Sequence, residues 1–536
     1  MRRYPSRFDA RRRAATNVAA CSVGFESLEQ RRLLSITPAL TAFAGNSEVT
    51  ATPSVTPAAT TISVGQAVYV HAMASTDTGG GALTSTEKIL SRFDWNFGDT
   101  GSPHNNLVGF NAAHQYTKTG LHTVTLTARD EDGTVSSITH KVNVVAAPAR
   151  TIYVDEEIGD NTNAGTSETA PVQHAWRALE LLQDNTRVVF RRGQEHLINR
   201  TFDVGDRQNV FIQDWADPSN TGAGKPRLRY TDQLIEDSNG VQKTASSGSG
   251  GDIVRQSYAG VGLTVQNIAF ESKWVTRTAA DGKPIAIKGE GGTAVNAYGR
   301  SSVLRDSTFK DIGVAIQTEN QNTGVSTATR GVLVQDNSAP RLTDIRGYFS
   351  YPKGFDWTIV GNYVENAGVE HAVRTSGNPP SRLLIAHNTL KNPEADVYIT
   401  YNTLTNTGEL ENKGEVIALR DVNHAYVYKN QIVDAQARVA QFDTDPGQQR
   451  TSEVVVFDAN RLLGRGDERY FYAEATASYI MFRNNVVEQA AQVDQSAFEI
   501  EGSKTLRIGD VNVTAGGTVS DGGDALGSTV KASRMV

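Results

Sequence analysis

A single cysteine, Cys21, in 536 residues leaves the body of the chain without a disulfide or thiol chemistry. Methionine is also scarce at 4 residues, aromatics make up 7% and hydrophobic residues only 38%. That apolar bulk is thin for helix bundles, whereas 48 glycines suit turn-rich β structure. No apolar run approaches the roughly 20 residues that a membrane span needs. Basic charge is concentrated at the N-terminus: eight arginines in residues 1–35 against Asp9, Glu26 and Glu29 give +5, so the rest carries about −12 of the net −7. An acidic body offers no footprint for nucleic acid, which excludes that class of partner. The length exceeds one ordinary core and points to two or more domains.

Residues 1–36 read as an export or sorting leader. Arginines are followed by a weak apolar run from Ala14 to Phe25, interrupted by Thr16 and Asn17, which makes a poor conventional signal peptide. The next segment, Phe25-Glu26-Ser27-Leu28-Glu29-Gln30-Arg31-Arg32-Leu33-Leu34-Ser35, resembles the LEPR-XLL sorting motif of planctomycete exported proteins, with Gln30 in place of its proline. The resemblance implies a secreted, extracellular, cell-surface-associated protein. Residues 37–60, rich in Thr, Ser, Ala and Pro, read as an extended linker.

Residues 61–147 alternate at period two, as in Ala67-Val68-Tyr69-Val70-His71-Ala72, the mark of half-buried strands. Phe93-Asp94-Trp95-Asn96-Phe97-Gly98-Asp99, then His114-Gln115-Tyr116, then Gly120-Leu121-His122-Thr123-Val124-Thr125-Leu126 resemble a PKD domain, with Asn96 and Leu121 as mild departures. The resemblance implies an independent immunoglobulin-like β-sandwich with Trp95 buried, acting as a spacer or weak carbohydrate-binding module.

From Arg150 the pattern changes. Thr151-Ile152-Tyr153-Val154-Asp155, a Gly/Asn-rich turn and the amphipathic Ala175–Leu182 lead to Val188-Val189-Phe190, and short apolar strands ending in asparagine follow. These asparagines are Asn267, Asn362, Asn388, Asn430, Asn460 and Asn484, with spacings of about 24 to 42 residues. Asparagine tolerates the left-handed conformation at a tight turn and can stack into an amide ladder. Strands with no crossover helices between them exclude a doubly wound α/β fold. The order resembles a right-handed, single-stranded parallel β-helix of the pectate-lyase type, with a helix near Ala175–Leu182 capping its open end and a tail at 501–536. The fold class is therefore all-β: an Ig-like sandwich plus a β-helix over residues 150–500, monomeric.

Candidate chemistry lies in Gly368-Val369-Glu370-His371-Ala372-Val373-Arg374 and in Gly414-Glu415-Val416-Ile417-Ala418-Leu419-Arg420. Aligned by their Glu and Arg residues, with Asp443 in the next coil, they stack Arg374, Arg420 and Asp443 on one outward strip. This arrangement resembles the alginate- and chondroitin-lyase branch of the fold, with Arg374 where that family has a lysine. The resemblance implies a polysaccharide lyase acting on an acidic, uronate-containing polysaccharide, with Arg374, Arg420, Glu370 and His371 catalytic. β-Elimination needs a cation at the carboxylate, a base for the C5 proton and an acid at O4. His371, next to Glu370, points to the opposite face of a regular strand. Tyr348, Tyr351 and Asp443 are expected to contact the sugar chain, and Glu370, Glu415 and Asp445 to hold calcium. The alternatives are a noncatalytic surface or adhesion protein and a glycoside hydrolase. Salt-bridge ladders on a sheet face are the plain structural account of the same charges.

Overall fold

A computed structural model describes residues 35–536 except 131, 216–221, 232–234, 237–241, 244–251, 272–274, 279–283, 288–291, 319–328, 343–347, 366–371, 376–380, 392–416, 421, 436–439, 444–453, 465–470, 474–478, 490–497, 501–504, 509–511, 515–528 and 531–536. The sorting leader lies outside the described residues.

The sandwich has two sheets. One orders Ser47–Ala51, Leu40–Ala44, Ala67–His71 and Asn111–Gln115, all antiparallel. The other orders Thr60–Ser63, Val135–Val145, Gly120–Arg129, Arg92–Asn96 and Asn106–Val108. Trp95 is 1% exposed, and its indole N–H donates to the Gly109 carbonyl at 2.8 Å. The Tyr116 hydroxyl donates to the Phe97 carbonyl at 2.9 Å, pinning the next corner.

Residues 37–60 are not simply a linker. Leu40–Ala44 and Ser47–Ala51 pair as a hairpin in which Ala44 faces Ser47, so Gly45-Asn46 form a two-residue turn with Gly45 at φ 59°. A glycine at the first loop position is a hairpin signal, and it outweighs the Thr/Ser/Pro composition around it.

Beyond Arg150 the strands form three parallel sheets. Sheet 1 has 13 strands, from Arg150–Val154 to Thr529–Val530; sheet 2 has 11 and sheet 3 has 10. Each coil contributes one strand to each in turn, which makes a parallel β-helix, right-handed as crossovers between parallel strands are. A helix, Ala175–Glu180, buries Ala175, Trp176 and Ala178 at the first coils, and Ala175, Ala178 and Leu182 join the solenoid core beside Ile152, Val154 and Val188.

The turn from sheet 1 to sheet 2 has two residues in every coil from Asn267 to Asn485. Its first residue is left-handed, with φ 48–71°, at Asn267, Asp306, Asp336, Gly361, His387, Lys429, Ala459 and Asn484. Its second carries the ladder: the amides of Asn337, Asn362, Asn388, Asn430, Asn460 and Asn485 link head to tail at 2.9–3.0 Å. Each inner oxygen also accepts the backbone N–H of the preceding ladder residue. Asn267 and Asn484, expected in the ladder, occupy the left-handed position instead, since a turn of two residues divides the two tasks between neighbours.

The sandwich is not independent. Its four-stranded sheet lies on the outer face of sheet 1, and Val303, Leu333, Val360, Leu384, Tyr426 and Val456 belong to one apolar cluster with Phe43, Tyr69 and Phe110. Alternate residues of the same strands, such as Leu383 and Ile385, face the solenoid interior. Sheet 1 is thus buried on both faces, as near-continuous apolar runs require. Polar contacts complete the seam: the Tyr69 hydroxyl donates to the Ser302 carbonyl at 2.7 Å, and the Asn111 amide to that of Trp357 at 2.9 Å. Glu48 pairs with Arg330 at 2.6 Å, and Arg330 with the buried Asp356 at 3.1 Å.

Candidate functional site

Because the ladder fixes the turn between sheets 1 and 2, variation in coil length falls at the two ends of sheet 3's strands. Residues 319–328, 392–416 and 444–453 all enter the chain there. With sheet 1 covered by the sandwich, the outer face of sheet 3 is the natural place for a site, and its central strands are Tyr348–Tyr351, Val373–Arg374, Ile417–Arg420 and Ala440–Asp443.

The register corrects the expected stack. Ser350 pairs with Val373, which sets Tyr351 level with Arg374. Arg374 then pairs with Ala418, and Ala418 with Gln441. Arg420 pairs with Asp443, one step of two residues farther along. Arg374 and Arg420 therefore share a parity on adjacent strands without being lateral neighbours; their Cα atoms are offset by about 8 Å from strand spacing and rise. The Glu-to-Arg alignment fails because the two strings differ in length by one residue and the strands pair by their apolar positions instead: Val373, Ile417 and Leu419 are buried.

Around Arg374 the side chains are defined. Tyr348 and Tyr351 bracket the fully buried Phe349 and Ser350 and stack on each other, ring centres 5.4 Å apart at 16°. The Arg374 guanidinium lies 5.4 Å from the Tyr348 ring centre and donates to its hydroxyl. On the other side Lys353 Nζ sits 5.0 Å from the Tyr351 ring centre. Two stacked aromatic rings are held between two cations, each interaction being worth about 0.5–2 kcal/mol.

Lys353 is a site residue that the sequence reading did not single out. Its backbone is fixed from both ends: its N–H donates to Thr318 Oγ1 at 2.9 Å, and its carbonyl accepts the Trp357 indole at 2.9 Å and the Thr318 hydroxyl at 2.9 Å. It has no carboxylate partner among the described residues. The available signal was its place two residues after Tyr351, where a strand of sheet 3 ends.

Glu370, His371, Glu415 and Asp445 lie outside the described residues, and for Arg420 and Asp443 the backbone register alone is defined. Among the described residues no group of three or more His, Cys, Asp or Glu side chains is arranged to hold a metal ion. Nor is any described helix long and apolar enough to cross a membrane.

Comparison with known proteins follows the two-part architecture. Residues 50–146 match the PKD domain family. No curated protein matches the chain. Among solved structures, the chain is similar to the GH136 lacto-N-biosidase from Eubacterium ramulus (14% identity, TM-score 0.40), covering 68% of this chain and 64% of that one. It is similar to pectate lyase Pel9A (14% identity, TM-score 0.37; 66% and 79% covered) and to the Streptococcus pneumoniae surface protein and adhesin PfbA (11%, 0.41; 65% and 88%). The chain thus carries a PKD domain docked on a parallel β-helix.

Proposed function

We propose that the outer face of sheet 3 binds an acidic, uronate-containing polysaccharide outside the cell, and that the chain cleaves it as a polysaccharide lyase. The observation that carries this reading is the Tyr348–Tyr351 pair held between Arg374 and Lys353. Tyr348 is buried under Arg374, so the partly exposed Tyr351 offers the apolar contact to a pyranose ring, and Arg374 supplies counter-charge to a polyanion.

The chemistry assigns the roles. Arg374, permanently charged, neutralises the uronate carboxylate and so acidifies the adjacent C5–H. Lys353 is assigned as the base, acting through its neutral amine: it takes the C5 hydrogen, the electron pair forms the C4–C5 double bond, and the C4–O4 bond breaks. The departing O4 takes a proton from a tyrosine hydroxyl of the pair. Arg420 and Asp443, one step along the neighbouring strands, extend the strip to the next sugar. Calcium held by Glu370, Glu415 and Asp445 and a catalytic role for His371 belong to the same reading; activity is expected to fall on chelation and return on calcium add-back, and activity unchanged by chelation would contradict the calcium site.

The experiment is a panel of polyuronides followed by the ultraviolet absorbance of the new double bond. At least one acidic polymer is expected to yield it, and Arg374→Ala to lower the rate about 100-fold or more while the chain stays folded, its melting lowered only by the lost contact to Tyr348. Binding without any new double bond would favour the noncatalytic surface-protein reading, and release of reducing ends without absorbance would favour a hydrolase.

A further inference from the structure

We propose that the cleft between the sandwich and the solenoid is a second binding site, for an anionic saccharide group, carboxylate or sulfate. The proposal shares the ligand class of the preceding reading but uses a different face of the solenoid.

The cleft has a volume of about 370 Å³, with Arg92, Asp94 and Arg129 on the sandwich side and His387, Tyr428 and Lys429 on the solenoid side. That volume and a position between domains suit a small ligand. Two arginines and a lysine face one lining carboxylate. Asp94 accepts the Nε–H of both arginines, from Arg92 at 2.8 Å and from Arg129 at 3.0 Å. Held by Nε, each guanidinium keeps its terminal amines for other partners. Those of Arg92 lie 3.5 Å from the Tyr428 hydroxyl and 3.8 Å from Asp458, which is itself bound by Arg483 at 3.1 Å. Those of Arg129 have no partner among the described residues, and paired terminal amines are the geometry that grips a carboxylate or sulfate.

The solenoid side is built at a cost. His387 and Lys429 are the left-handed residues of successive coils, at φ 56° and 49°, where glycine or asparagine would sit with less strain. Lys429 Nζ lies 5.2 Å from the Tyr428 ring centre and has no carboxylate partner among the described residues. The His387 ring has no hydrogen-bond partner among them either, and burial, with His104 and Lys429 nearby, lowers its pKa to about 4. It therefore presents a neutral donor and acceptor to a sugar hydroxyl. At the rim Asn96 donates to Asn106 Oδ1 at 2.7 Å, and the Asn106 amide nitrogen has no partner among the described residues and can donate to a second hydroxyl.

The test is calorimetric titration of the full chain with a uronic-acid hexamer, a sulfated hexamer and a neutral hexamer. The probes are compared on wild type, on the double variant Arg129→Gln/Lys429→Gln, on Lys429→Gln alone and on Arg374→Ala. At least one acidic hexamer is expected to bind, whichever is tighter identifying the anion, with affinity falling about tenfold or more in the double variant, less in Lys429→Gln, and falling as salt rises. Unchanged affinity in both variants, equal binding of the neutral hexamer, or no binding of either acidic one overturns the proposal. Loss in Arg374→Ala alone overturns this site and leaves the sheet 3 reading standing; loss in the cleft variants alone does the reverse.

Discussion

At the scale of single residues, the asparagine ladder shows how a side chain fixes a fold. Asn388 Oδ1 accepts the backbone N–H and the side-chain amide of Asn362, both at 2.9 Å, while its own amide reaches Asn430 at 3.0 Å. Asn388→Ala strands the buried Asn362 backbone N–H, while the Asn362 amide keeps the Val334 and Val360 carbonyls, and it is expected to cost about 1–3 kcal/mol in denaturant unfolding. One residue earlier the requirement is conformational. Ala459, at φ 57°, is strained by its Cβ, so Ala459→Gly is expected to leave stability unchanged or raise it by up to about 1 kcal/mol; a loss like that of Asn388→Ala would contradict the division of labour. The ladder was readable in Asn362, Asn388, Asn430 and Asn460. It was ambiguous at Asn484-Asn485, where two asparagines fill both positions and either gives an apolar residue two places on.

At the scale of elements, strands and glycines record a docking face. Arg382–Ala386 and Val454–Asp458 are apolar at both parities, a pattern that fits strands buried on both sides. Read alone they indicate a solenoid coil; what covers the outer face depends on residues three hundred positions away. Gly331, at φ 74°, marks the seam: a Cβ there would lie 2.8 Å from the Phe43 ring and 3.1 Å from that of Tyr69. Gly361, at φ 71°, leaves room for His104, whose ring atoms would be 2.7–2.8 Å from such a Cβ. Gly331→Ala is expected to lose about 2–4 kcal/mol through overpacking and backbone strain. Gly133→Ala, also at positive φ but with open space around it, is expected to lose only about 1 kcal/mol. Equal losses in thermal unfolding would show that the seam is not close-packed.

The seam also sets a pH dependence. Burial pulls Asp356 upward, but the hydrogen bonds and charge of Arg382, with His71 and Arg330, hold it below the usual carboxylate range. His104 does the same for Asp336 against its burial, and His71 and Arg330 hold Glu48 well down. A carboxylate depressed in the folded state stabilises above its unfolded pKa, and that contribution is lost as pH falls through the folded value. The histidines act in the same direction. Burial lowers His424 to about 3, with Lys88 adding to it, and lowers His114 to about 4 against Asp99. Both stay neutral in the fold while the unfolded chain takes up protons below about 6.5. Stability is expected to be flat above pH 7, to fall between about 6.5 and 4 as the histidine contribution is lost, and to fall further below 4 with the carboxylates. A melting temperature equal at pH 7 and pH 4 would contradict this.

At the scale of the whole molecule, a sandwich and a solenoid that share an apolar seam are expected to unfold together. Scanning calorimetry should give one main transition, and two well-separated transitions would indicate the independent domains that the sequence suggests. Both folds were legible because period-two alternation and recurring asparagines are local signals. Their docking and the offset of Arg374 from Arg420 were not, since register follows from which apolar residues face inward rather than from matched charged strings. Lys353 was hidden for a related reason: only the turn at the end of the Tyr348–Tyr351 strand brings it onto Tyr351. The central claim is that this cation-flanked tyrosine pair on sheet 3 receives an acidic sugar chain. A crystal structure with a uronic-acid oligosaccharide tests it most directly: a pyranose ring lying against Tyr351, its carboxylate on the Arg374 guanidinium and its C5 facing Lys353, is the expected result, and an oligosaccharide bound only away from sheet 3, or not at all, would contradict it.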